Sequence, residues 1–166
     1  MALEVFEQNP PALALYRRHG FRELMRLFGW RRRPHTIDIS TVGELQEISL
    51  FTAAQIRGSL DFPDIPWQIS RYAVAKLPEA RAYKIENACV IVSNPNVTPT
   101  RVYALLNASA DSGAALRNVL AAVLKRFSAN EFFAREVFLD QFGAEIFEPL
   151  GFAPEPFNQI LMRHDF

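Results

Sequence analysis

RVYALLNASADSGAALRNVLAAVLKRF, residues Arg101 to Phe127, holds a strand, a loop of small residues and a helix, and the rest of the chain can be placed around it. Val102, Tyr103, Ala104, Leu105 and Leu106 form an apolar run suited to a strand covered on both faces, and Asn107 to Gly113 has the small and polar residues that end one. Leu116, Val119, Leu120, Val123, Leu124 and Phe127 then recur at the spacing of one helical face. Asp111 or Ser112 can cap the free N–H groups of that helix, and Lys125 and Arg126 suit its negative C-terminal end. The loop therefore brings bare backbone donors to a helix N-terminus. Gly113, Ala114 and Ala115 carry no side chain that would hold a phosphate away, so the diphosphate of a nucleotide-type cofactor is one expectation there. Close packing at a tight turn calls for the same small residues and is the other.

The chain has 166 residues, room for one compact domain and an appendage but not for two domains. Apolar residues make up 49 % of it, enough for a sizeable core, while 18 basic and 18 acidic residues cancel and give nucleic acid no electrostatic footprint. The single Cys89 lies in the apolar run Ala88 to Val92, which marks it as a buried free thiol rather than a nucleophile or ligand. His19, His35 and His164 stand near element ends, without i, i+4 pairing or cysteine company, so no metal site is expected. Met1 to Gln8 lacks the basic and apolar regions of a signal peptide, and no run reaches the roughly 18 apolar residues of a membrane span, so a cytoplasmic protein with no membrane partner is expected.

In chain order, Leu3 to Phe6 reads as a strand and Asn9-Pro10-Pro11 as a helix start, with the helix running from Ala12 to His19 and Gly20 ending it. Phe21 to Trp30 reads as two short strands or one bent one, and Arg31-Arg32-Arg33 as a solvated strand end before the boundary at Pro34. Thr36 to Ile39 alternates as a strand, and Thr41 with Glu44 forms a capping box ahead of a helix to about Arg57. Leu60 to Trp67 is a loop, Gln68 to Leu77 a short helix, and Ala80 to Glu86 and Ala88 to Val92 pair around Asn87. After the central strand and helix come a strand from Arg135 to Asp140, a short helix from Gly143 to Leu150 closed by Gly151, and a last strand from Asn158 to Arg163.

The two ends of the sequence repeat one another. Glu4-Val5-Phe6 matches Glu136-Val137-Phe138; Tyr16 stands four before Gly20-Phe21, as Phe147 stands four before Gly151-Phe152; and Arg26 to Arg31 parallels Asn158 to Arg163. On these residues the sequence resembles the GNAT superfamily of acyl-CoA N-acyltransferases: Glu4-Val5, Asn9, Ala12, Leu15-Tyr16 and Gly20-Phe21 are similar to its C-terminal signature, and the order of elements from His35 to Phe166 follows its fold. The resemblance implies an α+β (mixed α/β) architecture, a mixed and mostly antiparallel central sheet flanked by helices. It also implies a division into residues 1–33, the tail of a first copy, and residues 34–166, a second GNAT-like domain.

In that family the pantetheine arm of acyl-CoA lies in a splay beside the fourth strand, and its diphosphate lies on a loop beginning with a basic or amide residue and ending Gly-x-Gly/Ala. The matching loop here is Ala110-x-x-Gly113-x-Ala115, so Leu106, Asn107, Gly113, Ala114 and Ala115 are the implied binding residues for acetyl-CoA or another acyl-CoA, with Ala110 where the basic residue would stand. A tyrosine on the last helix commonly protonates the departing thiolate. Tyr16 holds that position in the first copy, and Phe147, which has no proton to give, holds it in the second. Asp140 or Glu86 are candidate general bases, each more often a solvated strand-end carboxylate, and Trp67 is a candidate wall of the acceptor pocket or a packed loop anchor.

Three functions follow as expectations: transfer of an acyl group from acetyl-CoA to a small amine acceptor; a catalytically degenerate copy that shapes or dimerises a partner; and a small-molecule binding module. The strand at Ala2 to Phe6 has apolar Leu3, Val5 and Phe6 and no guarding lysine or proline, so a homodimer through its edge is expected, with docking onto its own chain the competing outcome.

Overall fold

A computed structural model describes residues 1–36, 38, 40–58, 73, 75–107, 113–140 and 143–165. In these, β1 (Ala2–Phe6), α1 (Pro10–Arg18) and β2 (Arg22–Arg32) are followed by β3 (Gln46–Ile48), α2 (Leu50–Gly58), β4 (Arg81–Ile85), β5 (Ala88–Val92) and β6 (Thr100–Asn107). Helix α3 (Gly113–Arg126), β7 (Phe132–Phe138), two short helical turns over Gly143–Phe147 and Glu148–Leu150, and β8 (Ala153–Arg163) complete the order. The strands form one eight-stranded sheet in the order β1-β8-β2-β7-β6-β5-β4-β3. It is antiparallel except where β6 meets β7. The architecture is thus the mixed α+β one that the sequence implies.

The strand order at one end holds a feature that no local reading supplies. Strand β2 lies between β7 and β8, and β8 lies between β1 and β2. The two strand–helix–strand pieces, residues 2–32 and 132–163, therefore exchange their last strands across an antiparallel β2–β8 seam that runs from Arg22↔Arg163 to Arg31↔Ala153. Each piece ends its helical part in the same way: Phe21 N–H donates to the Tyr16 carbonyl (3.1 Å) and Phe152 N–H to the Phe147 carbonyl (3.1 Å). Gly20 and Gly151 follow in the left-handed region, at φ 82° and 80°, where only glycine is unstrained. A histidine from just past the end of the other piece lies against each, His164 at 2.9 Å from the place of a Cβ on Gly20 and His35 at 2.8 Å from that on Gly151.

Several local expectations change in this context. Of the two readings of Phe21 to Trp30, the single bent strand is the one found, starting at Arg22, reaching Arg32 and shifting register at Glu23/Met25 and Phe28/Trp30. The capping box at Thr41 does not open α2: Gln46, Glu47 and Ile48 pair with Lys84, Tyr83 and Ala82 instead, and Ser49 caps the helix, its Oγ accepting from Thr52 N–H at 3.0 Å. Thr36 and Asp38 lie in no strand, and the short helix expected over Gln68 to Leu77 falls mostly outside the described residues, as does Trp67. The final strand starts at Ala153, with Pro154 opposite Trp30, because β1 covers β8 only from Gln159 onward and leaves the proline stretch with an open edge. The arginine run is not a solvated strand end: Arg32 is 0 % exposed, and its guanidinium donates to the Leu150 carbonyl at 2.9 Å and the His35 carbonyl at 2.8 Å.

The main core lies between one face of the sheet and α3. Val119, Leu120, Val123 and Leu124 of the helix pack on Val90, Val92, Val102, Phe132 and Ala134. Helix α2 covers the opposite face through Ala53 and Ala54, against Ala82, Cys89, Ile91, Ala104 and Leu106. Helix α1 packs in a third cluster, Leu13 with Val5, Ile160 and Met162.

Cys89 is wholly buried, and desolvation pushes its thiol up to about 12. The unfolded chain loses this proton near pH ~8.5 while the folded chain keeps it, so folding binds the proton and stability falls as pH rises from ~8.5 toward the folded value. Between pH 9 and 10 the protein is expected to lose about 1.4 kcal/mol per pH unit more than a Cys89→Ala variant does. Urea midpoints at the two pH values measure the difference, and equal slopes would show that the thiol ionises in the folded protein.

Candidate functional site

The sheet opens where the one parallel pair among the described residues parts. β6 and β7 are paired at Thr100↔Phe132, Arg101↔Phe133 and Val102↔Ala134, and nowhere beyond, although β6 continues to Asn107 and β7 to Phe138. On its other edge β6 shifts register at the same level, Ala104 standing opposite Ile91 and Val102 opposite Val92, so Tyr103 is an extra residue that bends the strand away. The result is a wedge between two strands, with the N-terminus of α3 at the end of β6.

Of the residues expected around this wedge, Leu106 is 1 % exposed in the α2-side cluster, so it can offer a ligand its backbone alone, and Asn107 is buried at the strand's end opposite Ala88. Gly113, Ala114 and Ala115 form the first turn of α3. Ala114, Ala115, Arg117 and Asn118 line a depression of ≈ 440 Å³, closed on its far side by Ser40 and Val42. Asn118 holds that far wall, its amide accepting from Val42 N–H at 2.9 Å and donating to the Val42 carbonyl at 2.6 Å.

Two residues here are absent from the expectations. Arg117 lies four after Gly113, within reach of the first turn, and brings a cation to a site whose loop begins with Ala110. Its spacing is the one signal the sequence carries. Glu145 carries none: its carboxylate comes within 3.0 Å of where a Cβ on Gly113 would stand, and Arg117 Nη1 donates to the Glu145 carbonyl at 3.1 Å. The helix end expected to be bare is faced by an acid from a turn far along the chain.

The candidate catalytic residues, and the Phe147 that stands where a tyrosine would, lie at separate points of the fold. Phe147 is 0 % exposed in an aromatic box, stacked on Trp30 at 5.8 Å and edge-on to Phe138 (5.0 Å) and Phe152 (5.1 Å). Tyr16 packs instead in the α1 cluster, edge-on to Phe21 at 5.7 Å, with β8 and β2 intervening between that part of the sheet and β7. Asp140 is exposed beyond β7, in a depression of ≈ 370 Å³ shared with Met25, Arg26 and Phe28 of β2. Glu86 is exposed in the β4–β5 turn, at the end of the sheet where β6 finishes.

A mixed sheet with one parting parallel pair, a helix N-terminus at the end of the first strand and helices on both faces defines the class of fold. That fold is the one of the GCN5-related N-acetyltransferases. The chain superposes on a GCN5-related N-acetyltransferase from Sphaerobacter thermophilus with a TM-score of 0.63 at 11 % identity, over 99 % of this chain and 59 % of that one. It matches another, from Anabaena variabilis, with a TM-score of 0.61 at 13 % identity, over 97 % of this chain and 45 % of that one. A functionally unknown conserved protein from Staphylococcus epidermidis gives 0.64 at 9 % identity, over 99 % and 73 %. The chain spans about half the length of several of the solved structures it matches, for example 53 % and 47 % of two others. No family model and no curated protein matches the sequence.

Proposed function

We propose that this chain binds an acyl-CoA thioester, acetyl-CoA in the simplest case, in the β6–β7 wedge and transfers the acyl group to a small amine. The observation that carries the reading is the parting of β6 and β7 directly beside the start of α3. The stretch of β6 beyond its ladder with β7 can hold an amide-rich arm, while α3 N–H groups and Arg117 can meet its phosphates. The transfer forms a C–N bond from the amine to the acyl carbon and breaks the C–S bond. The amine's proton leaves to solvent and the thiolate takes one from it, since Phe147 has none to give. Positioning is then the chain's main contribution to rate.

The sealed box around Phe147 favours a second reading, binding without turnover. Two measurements separate them. Acetyl-CoA at 100 times its dissociation constant should add about 2.7 kcal/mol of stability, a rise in Tm of roughly 5–10 °C for a chain this long. Release of free CoA thiol in the presence of small amines then reports transfer. A melting point that acetyl-CoA leaves unmoved would sink both readings; a shifted one without thiol release would leave the second.

In the same proposal residues 1–33 are the tail of a first copy and residues 34–166 a second, the protein works in the cytoplasm without nucleic acid or membrane, and two subunits join through β1. Among the described residues no helix is long and apolar enough to cross a membrane. β1 pairs with β8 of its own chain and ends the sheet, with Phe6 47 % exposed beside its outer edge. Light scattering should show a dimer for the native chain and a monomer for Phe6→Lys, a charge of the kind that guards strand edges. A monomeric native chain would remove the dimer.

A further inference from the structure

We infer that Glu145 is a built-in anion that competes with the cofactor's diphosphate for the start of α3. The inference rests on the acyl-CoA reading above and concerns the regulation of that same site. Its carboxylate stands 3.0 Å from the Cβ position of Gly113, against the end of a helix whose partial positive charge favours an anion. Its place is fixed from below. Gly143, two residues earlier, lies so close to the Trp30 indole that no side chain fits between them, while Ile146 and Phe147, the residues after it, are 0 % exposed. The turn can therefore present only the residues between, and Glu145 is exposed on it toward α3. Arg117 ties down the same turn through its bond to the Glu145 carbonyl, so the site's cation and its resident acid belong to one arrangement.

A diphosphate arriving at Gly113 to Ala115 meets a like charge within a few ångströms. It binds only when the Glu145 side chain swings out to solvent, which its exposure permits. Gly113, whose missing side chain makes the site accessible in sequence, also admits this carboxylate.

Calorimetric titration of the full chain with CoA and with S-acetylpantetheine, which lacks the diphosphate, tests the inference. Glu145→Gln, which keeps the side chain's shape and removes its charge, should tighten CoA binding at least tenfold and leave S-acetylpantetheine unchanged. Glu145→Ala should do the same, and unaltered melting points of the free variants would confirm that folding is not the cause. Equal CoA affinity in native and variant proteins overturns the inference while the cofactor reading stands. An equal gain for both ligands overturns it too, since the effect would then not act on phosphate. If native and variant chains alike fail to bind CoA, the cofactor reading falls and takes the inference with it.

Discussion

A chain that begins at Pro34 is expected to lose its cooperative unfolding transition. Sequence marks residue 34 as a boundary, and an independent domain from there on would melt much as the whole chain does. The strand order makes that outcome physically costly, because among the described residues β2 alone joins β7 to β8. Removing it strips one edge from each and takes away Leu27, Trp30 and Arg32, which are 0 %, 2 % and 0 % exposed. Losing a buried Trp and a buried Leu side chain costs about 3–5 and 2–5 kcal/mol by themselves, against a typical total stability of about 5–15 kcal/mol. The Leu150 carbonyl would also lose its charge-assisted donor. Circular dichroism melting of residues 34–166 should show no sharp transition, and adding residues 1–36 as a separate peptide should restore one. A cooperative melt within a few degrees of the full chain, without the peptide, would show that β7 and β8 close on each other directly.

Gly143→Ala is expected to destabilise the protein by about 3 kcal/mol, the upper end for overpacking a filled core. Glycine is required here by space, since a Cβ would stand 1.7 Å from Cζ2 of the Trp30 indole, far inside van der Waals contact. The indole cannot retreat, being stacked on Phe147 at 5.8 Å and held in β2 opposite Ala134 and Pro154. In a Trp30→Leu background, itself destabilised, the same alanine should cost little, which gives a coupling of about 2 kcal/mol in a double-mutant cycle. Urea unfolding of the four proteins supplies the cycle, and additive effects would place the clash elsewhere. The result bears on function as well, because the Gly143 turn is what carries Glu145 to α3.

Much of the fold is local and could be read from the chain. Asn9 does cap α1, its side chain accepting from Ala12 N–H at 3.3 Å, and the α3 periodicity matches the face that is buried. Gly20 and Gly151 end their helical segments, and Ile85 and Ala88 flank the expected β4–β5 turn. Such features depend on neighbours within a few residues, whose capping, period and backbone preference are written in the sequence. The family resemblance rests on the same short spacings. Where local preference competes with pairing at a distance, the sequence is silent: Thr41 and Glu44 have the pattern of a cap, yet the ladder between β3 and β4 places the helix start at Ser49.

The site shows the same division. The wedge strands and the small residues of α3 follow from composition and order, because a strand, a loop and a helix in succession put backbone donors at a helix end. The sequence alone determined this much, with the repeat between the two ends of the chain and the burial of Cys89. Tertiary structure alone decided that the repeats exchange their last strands, that Arg32 and Trp30 are interior, and that Phe147 is sealed under an indole from a strand more than a hundred residues earlier. It alone also placed Glu145 against Gly113. Each of these is a contact between segments distant in the chain, set by which surfaces can be buried together, and no propensity or spacing within one segment encodes it.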